Sequence, residues 1–293
     1  MAKTEFEQFI LDEIERQKGL YLPIKAGAME RLMTKKAPCA SLHPNPEDEF
    51  CFPDIGPSHK IISQYVNDFR ARMSHDLEPL EDPVIVEKTH PDGYMLLNGH
   101  HRWAAALKLG IKSIPIKIVN LAQESDIKTM LENAKHDKRV TMDLDEVIFR
   151  DKKDPEAEAL PGGHGKKKPK QRIRKGVPAL FRFLTKSGYD IWVYSADYYS
   201  IDDIQDFFNS YSVHVDGIIT GTQKAKKSAT KAAKDMEKLI SNHYKKTLHI
   251  DNDMVIATTE KSGEFQEYEI NPAASEWSKE IMAVIGAMEK DES

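Results

Sequence analysis

Three acidic side chains and one hydroxyl lie where apolar strands are predicted to end. Asp143 and Asp145 close the run RVTMDLD, Ser195 follows YDIWVY, and Asp251 follows KTLHI. A carboxylate at the end of a strand can act as a nucleophile, a general acid or a metal ligand. Because clustered carboxylates repel one another unless a cation lies among them, the set suits Mg²⁺, which prefers carboxylate and phosphate oxygens.

The spacing of the first two acids suggests that they act together. Side chains two positions apart on a strand point to the same face. If the strand runs through residue 145, Asp143 and Asp145 are both available to one substrate.

A second group of chemically useful residues lies where a strand should turn into a helix. The stretch MLLNGHHRWAAALKLG contains Gly99, His100, His101 and Arg102 at that point. Glycine lets the backbone approach an anion, and helix N-terminal amides with a nearby arginine bind phosphate. These residues predict a nucleotide-phosphate site, and the alternative is that the histidines only cap or pack the start of the helix.

The predicted elements divide the chain into residues 1–130 and 131–293. In the second part apolar strands alternate with helices, which is typical of a parallel sheet covered on both faces. Ligands of such sheets bind outside the carboxyl ends of the strands, so the acidic residues should converge there. The strands are predicted at 139–145, 189–196, 215–221 and 246–253, and the helices at 176–188, 200–211 and 228–244.

The first part is predicted to be a smaller α+β domain with a proline-rich loop at 42–58. Its helices are predicted at 5–18, 59–73 and 100–110, and its strands at 82–88, 93–98 and 113–119. A further helix at 124–137 is predicted to link the two parts.

Composition excludes several classes of protein. The 293 residues are 40% hydrophobic and 30% charged, which describes an ordinary soluble globular chain. The net charge of -5 gives no global attraction to nucleic acid, so any basic patch must be local. Two cysteines, Cys39 and Cys51, are too few for a secreted disulfide scaffold. With no signal peptide and no long apolar run, we expect a cytoplasmic protein without a membrane partner.

The second part resembles the haloacid dehalogenase (HAD) superfamily of phosphohydrolases over about residues 138–290. MDLDEVIF is similar to the first motif, VYSA to the second and HIDND to the fourth. The resemblance implies that Asp143 is a nucleophile forming an aspartyl-phosphate and that Asp145 is the general acid and then base. It implies that Ser195 binds the phosphoryl group.

The same resemblance implies a metal site and a lysine. Mg²⁺ would be held by Asp143, by the backbone carbonyl of Asp145 and by Asp251, with Asn252 or Asp253 as a partner. The third motif requires a lysine, for which GTQKAKKSATK offers Lys224, Lys226 and Lys227. Lys227 is favoured because it opens the predicted helix.

The segment between Asp145 and the next helix would form a flap or minimal cap, which leaves the site open to bulky substrates. Its residues 166–175 include seven Lys or Arg. This run would steer a phosphorylated nucleotide or nucleic-acid end toward the acids, unless it is only a solvated loop. Tyr198 and Tyr199 are expected either at the mouth of the site or in the core. Glu146 departs from the commonest HAD pattern, which has glycine there, and is closer to carboxy-terminal-domain phosphatases.

The first part resembles the ParB/sulfiredoxin-like fold over roughly residues 20–120. The resemblance rests on LHPNPEDEF, LEDPVIVEK and LLNGHHRWAAALKLG, and it implies that Gly99, His100, His101 and Arg102 bind a nucleotide such as ATP, ADP or CTP. Two alternatives remain open. One is a kinase in this domain with Glu47, Asp48 or Glu49 as base, paired with a phosphatase; the other is a nucleotide-responsive binding module without catalysis.

Overall fold

The computed structural model describes residues 5–17, 22–159, 171–222, 231–259, 265–272 and 276–291. The chain forms two compact units, Met1–Asn120 and Leu121–Ser293. The sequence analysis placed the division at residue 130, so its linking helix belongs to the second unit. Both units combine α-helices with parallel and antiparallel strands. In the described part of the chain, no helix is long and apolar enough to cross a membrane.

The first unit contains four described helices and six short strands. The helices are α1 (Glu5–Gln17), α2 (Ala28–Met33), α3 (His59–Ser74) and α4 (His100–Lys108). The strands are β1 (Leu22–Pro23), β2 (Lys36–Pro38), β3 (Leu42–Pro44), β4 (Val84–His90), β5 (Tyr94–Asn98) and β6 (Ser113–Ile118).

The sheet of the first unit has the order β2-β6-β4-β5-β3, with β1 paired to β4. Strands β4 and β5 are antiparallel, whereas β4 and β6 are parallel. The core is built from apolar residues of α1, α3, α4 and the strands, with Trp103 as its largest buried side chain. The proline-rich stretch predicted as a loop therefore contains one strand, β3, and a short 3₁₀ turn at Glu49–Cys51.

The second unit alternates strands and helices as the sequence predicts. Its helices are α5 (Glu124–Glu132), α6 (Val177–Lys186), α7 (Ile201–Ser210), α8 (Lys231–Ser241) and α9 (Trp277–Asp291). Its main strands are β7 (Lys138–Asp143), β10 (Tyr189–Tyr194), β11 (Gly217–Ile219), β12 (Lys246–Ile250), β13 (Met254–Thr259) and β14 (Phe265–Glu269). A separate hairpin pairs β8 (Phe149–Asp151) with β9 (Gln171–Ile173).

The sheet of the second unit has the order β11-β10-β7-β12-β13-β14. The first four strands are parallel, and β13 and β14 extend the sheet as antiparallel strands. The chain moves outward from β7 through β10 to β11 and then returns to the other side of β7 with β12. The direction of winding therefore reverses between β7 and β12, which is where open α/β sheets place their ligands.

Apolar side chains cover both faces of this sheet. One face packs against α6, α7 and α9, for example through Phe181, Phe208 and Ile281. The other face packs against α5 and α8 around Trp192 and Ile240. Strand β10 is apolar nearly throughout, as expected for a strand buried on both faces, whereas β7 and β12 also bury polar side chains such as Arg139 and Thr247.

The prediction that Asp145 lies on a strand is wrong. Strand β7 ends at Asp143, and Leu144–Ile148 form one turn of π-helix. The turn begins there because the Asp143 side chain accepts the first free amides of the turn. The two acids therefore do not share a strand face.

Candidate functional site

The ends of β7 and β12 bring two acids to neighbouring positions. Met142 of β7 is paired with Ile250 of β12, and the strands run in parallel. The next residues, Asp143 and Asp251, therefore stand side by side at the carboxyl edge of the sheet. Asp143 is half-buried and Asp251 is exposed.

The Asp143 carboxylate is oriented by the turn that follows it. Its Oδ1 accepts hydrogen bonds from the backbone amides of Asp145 (2.7 Å) and Glu146 (2.8 Å). Among the described residues, no donor contacts Oδ2 of Asp143. One oxygen is thus fixed by two amides, and the other is available to a ligand.

Asp145 is brought together with Ser195. The Ser195 hydroxyl donates to Oδ2 of Asp145 at 2.5 Å and accepts from the amide of Asp197 at 2.9 Å. The hydroxyl of Tyr199 donates to Oδ1 of Asp145 at 2.7 Å. Burial, together with the neighbouring Asp145 carboxylate, raises the pKa of Tyr199 well above its usual range, so this hydroxyl stays protonated and remains a donor.

Asn252 bridges the turn after β12 to the turn after β7. Its backbone amide donates to Oδ1 of Asp251 at 2.6 Å, and its side-chain Nδ2 donates to the carbonyl of Glu146 at 3.0 Å. Its Oδ1 accepts from Nη1 of Arg174 at 2.8 Å. The prediction that Asn252 helps to hold a metal stays a prediction. Both the oxygen and the nitrogen of its side-chain amide already have hydrogen-bond partners in the protein.

The chemistry of the oxygen donors fits Mg²⁺. Within the described residues, no three or more His, Cys, Asp or Glu side chains come together in a group able to hold a metal. Mg²⁺ does not need such a group, because it is commonly bound by one or two carboxylates while keeping several waters. Asp143, Asp251 and the carbonyl of Asp145 are therefore the residues that would hold it.

Part of the predicted site falls outside the described residues. Lys224, Lys226 and Lys227 lie there, and so do residues 166–170 of the basic run. The rest of that run is not a free loop. Gln171, Arg172 and Ile173 form β9, and Arg174 is buried to 6% exposure.

The structure brings together the four predicted residues of the first unit at the start of α4. Gly99 has φ +103°, the left-handed region that favours glycine, and a Cβ there would lie 2.6 Å from Cγ1 of Val84. The residue therefore permits a close approach of the backbone to β4.

The two histidines hold the loop that precedes α3. Nε2 of His100 accepts from the amide of Asn45 and Nε2 of His101 from the amide of Ser58, both at 3.1 Å. Nδ1 of His100 lies 3.2 Å from Oδ2 of Asp48. Since Nε2 is an acceptor, Nδ1 carries the proton and donates to Asp48. Burial, and less strongly His101, lowers the pKa of His100 to about 3, so the ring is neutral.

Arg102 is oriented by backbone oxygens. Its Nη1 donates to the carbonyls of Asp82 (2.8 Å) and Pro83 (3.3 Å), and its Nη2 lies 3.3 Å from Oδ1 of Asn98. Each histidine thus uses a ring nitrogen to hold the loop before α3, and the helix N-terminal amides and the oriented guanidinium have the chemistry of an anion site.

Sequence reasoning missed two residues that the site uses. Arg174 was assigned only to a basic run that would either steer a substrate or form a solvated loop, and Gln171–Arg174 has a single apolar residue, Ile173, which is too little to predict a strand. Trp277, whose ring stacks on Arg174, was assigned no role, because nothing local in the sequence connects the two residues.

Comparison with known proteins supports a family relationship for one segment. A family model described as the ParB N-terminal domain matches residues 67–134. A solved structure of the C-terminally truncated chromosome-partitioning protein ParB from Caulobacter crescentus, complexed with CTP-gamma-S, is 25% identical. The match covers 34% of this chain and 51% of that chain, about half its length, with a TM-score of 0.24. Among curated proteins, none matches the chain.

Proposed function

We propose that the second unit is a Mg²⁺-dependent phosphohydrolase of the HAD type that acts on a phosphomonoester. The observation that supports it best is the adjacency of Asp143 and Asp251 at the point where the sheet reverses its winding, with Asp145 and Ser195 in hydrogen-bond contact beside them. A nucleotide or a phosphorylated nucleic-acid end is the substrate class that the basic residues of the flap would favour.

In the proposed reaction, Asp143 is the nucleophile. Its Oδ2 forms a bond to phosphorus as the bond from phosphorus to the leaving oxygen breaks, and Asp145 gives that oxygen a proton. Water then attacks the phosphorus of the aspartyl-phosphate, Asp145 takes a proton from the water, and inorganic phosphate leaves with Asp143 restored. Bound Mg²⁺ would neutralise charge on the phosphoryl oxygens.

The hydrogen bonds of Asp145 set a further condition on its role as the general acid. Its carboxylate accepts from Ser195 and Tyr199, so to act as the acid it must first take up a proton, which the monoanion of the phosphomonoester would bring, and rotate about its side-chain bonds to reach the leaving group. A phosphoryl group bound at Ser195 would take over the serine hydroxyl and release Asp145. Substrate binding would thus prepare the acid for proton transfer.

The test is phosphate release with Mg²⁺ from nucleotides, sugar phosphates, phosphopeptides and 5′- or 3′-phosphorylated oligonucleotides. We expect Asp143→Asn to abolish release, because an amide oxygen is a poor nucleophile, while Asp206→Asn, the same substitution at an exposed position of α7, serves as the control. Release that survives Asp143→Asn would contradict the assignment of the nucleophile. The panel members that are hydrolysed would define the substrate class.

We further propose that the first unit binds a nucleotide through the backbone at Gly99 and the guanidinium of Arg102. The observation in favour is that the ParB N-terminal domain match includes this segment. Titration calorimetry with ATP, ADP and CTP should show binding that Arg102→Ala weakens. Nucleotide consumption that survives Asp143→Asn but is lost in Arg102→Ala would instead support the kinase, with the exposed Glu47 or Glu49 as base because Asp48 is buried against His100.

A further inference from the structure

The side chain of Asn252 connects the two turns that carry the acids. Its Nδ2 donates to the carbonyl of Glu146, in the turn that begins at Asp143, and its backbone amide donates to Asp251. A movement of Asn252 would therefore change the separation of Asp143 and Asp251. Those two carboxylates are the groups expected to share a cation.

Asn252 is itself held by two residues from other elements. Nη1 of Arg174, just after β9, donates to its Oδ1 at 2.8 Å, and Nε1 of Trp277, at the start of α9, donates to its carbonyl at 2.8 Å. The guanidinium of Arg174 lies 3.8 Å from the centroid of the Trp277 ring, and its Nη2 donates to the carbonyl of Pro272. The turn after β12 is thus fixed through both its side chain and its backbone.

Arg174 is in an unusual environment for a cation. It is 6% exposed, and its hydrogen bonds within the described residues go to an amide oxygen and a carbonyl oxygen. Burying a charge is costly unless hydrogen bonds compensate for lost water. Lysine would supply the charge but not the planar group that stacks on Trp277 while it reaches two oxygens.

We propose that Arg174 is a positioning residue that acts through Asn252 to set the distance between Asp143 and Asp251 for a divalent cation. In this role Asn252 bridges the two turns through its side-chain amide. Residues that orient metal ligands typically contribute about 10- to 100-fold to metal affinity. The inference rests on the proposed Mg²⁺ site, but its test does not require catalysis.

The test measures binding of Mn²⁺, as a paramagnetic substitute for Mg²⁺, by electron paramagnetic resonance of the full chain. The variants are Arg174→Lys, Asn252→Ala and the double variant. Arg182→Lys, the same substitution at an exposed arginine of α6, is the matched control. Thermal unfolding of each variant shows whether the fold is retained.

We expect Arg174→Lys and Asn252→Ala each to raise the Mn²⁺ dissociation constant by about tenfold, and Arg182→Lys to leave it unchanged. Because Arg174 acts through Asn252, adding Arg174→Lys to Asn252→Ala should change the constant by less than about twofold. If Arg174→Lys does not fold, Asn252→Ala alone shows whether the side chain of Asn252 affects Mn²⁺ binding.

Three results would overturn the inference: unchanged Mn²⁺ binding in Arg174→Lys or in Asn252→Ala, additive effects in the double variant, or no Mn²⁺ binding by the parent chain. These outcomes are distinct from failure of the proposed function. Mn²⁺ binding that depends on Arg174 without phosphate release would remove the phosphatase and keep the positioning role. Phosphate release that depends on Asp143 but not on Arg174 would keep the phosphatase and remove the positioning role.

Discussion

His100, which is predicted to belong to a nucleotide site, has protein partners at both ring nitrogens. It is buried, and its ring contacts the loop before α3 at both nitrogens, through Asn45 and Asp48. The histidine was predicted from a motif in which it lines a nucleotide site. Its two nitrogens have protein partners, so its contribution to such a site is to hold the neighbouring loop.

The lowered pKa of His100 predicts a pH-dependent stability. The folded chain keeps the ring neutral down to about pH 3, whereas the unfolded chain takes up a proton near pH 6.5. The unfolded state thus binds more protons between these values, and the free energy of unfolding falls as pH is lowered below about 6.5. Between pH 7.5 and 5 this loss is about 2 kcal/mol.

Urea denaturation at several pH values, for the parent and for His100→Gln, measures this effect. The variant cannot take up the proton in either state, so its stability should fall less on acidification. Equal pH dependence in the two proteins would contradict the assignment to His100, since His101 is present in both.

Gly99 and Gly110 provide a matched pair of glycines with positive φ at the two ends of α4. A Cβ at Gly99 would meet Val84 at 2.6 Å, whereas one at Gly110, with φ +68°, meets nothing within 4 Å. We expect Gly110→Ala to cost about 1 kcal/mol from backbone strain alone. Gly99→Ala should cost at least about 2 kcal/mol more, because a close contact in the core is added.

The free energy of unfolding of the two glycine variants, measured in urea, checks this expectation. Equal costs would mean that α4 can move away from β4 without penalty. In that case the close backbone approach at the start of the helix would not be a fixed feature of the unit.

At the scale of elements, Glu289 attaches the last helix to the sheet. Its carboxylate accepts from Nζ of Lys138 on β7 (2.5 Å), from Nζ of Lys246 on β12 (3.2 Å) and from the hydroxyl of Tyr189 on β10. Burial would raise the pKa of Glu289, but these hydrogen bonds outweigh it and hold the pKa below its usual range. One residue of α9 thus contacts the first residues of three parallel strands.

We expect Glu289→Gln to lower the free energy of unfolding by about 2 kcal/mol at pH 7, because the buried Lys246 loses its anionic partner. With a lowered pKa, the carboxylate stabilises the fold above its unfolded value near pH 4.3, and this contribution is lost as pH falls through the folded value. The difference between parent and variant should therefore shrink below about pH 4.

The control for Glu289 is Asp137→Asn, which breaks the exposed ion pair of Asp137 with Lys245. Exposed pairs contribute about 0–1 kcal/mol, so the control should be nearly neutral. Chemical denaturation at pH 7 and pH 3.5 makes both comparisons. A neutral Glu289→Gln would show that apolar packing alone holds α9 on the sheet.

The elements that sequence reasoning found share one physical property. The strands β7, β10 and β12 are largely buried, and apolar residues such as Val140, Ile191 and Leu248 made them recognisable, so the residues at their ends were found with them. The turn after Asp143 was missed, because Asp143-Leu144-Asp145 has the alternation of a strand and only the capping role of the Asp143 carboxylate shows otherwise. No helix or strand was predicted after residue 253, although β13, β14 and α9 lie there.

Contacts between distant segments explain the rest of what was missed. Arg174 contacts Asn252, which lies 78 positions away in the sequence, and Trp277 contacts Asn252 from 25 positions away. A sequence pattern reports local periodicity, and these contacts have none. For the same reason, Tyr199, which donates a hydrogen bond to Asp145, could not be distinguished from a core tyrosine by sequence.

At the scale of the whole molecule, each unit has a core of its own. The core of the first unit is built around Trp103, and the second unit has apolar clusters on both faces of its sheet. We expect residues 121–293, expressed alone, to unfold cooperatively in urea. If the proposed function is correct, that fragment should also release phosphate with dependence on Asp143. A fragment without cooperative unfolding, measured by circular dichroism, would show that the second unit depends on the first.

The last strand of the second sheet has a consequence for the behaviour of the chain at high concentration. Strand β14 forms the outer edge of the sheet in the described part of the chain, and it carries Glu267 and Glu269, both exposed, close to an exposed Phe265. An unpaired strand edge invites a second molecule to add a strand, and charged residues oppose this. Two copies meeting at this edge would bring acids against acids, so the β14 edge is protected from pairing with a second copy of itself.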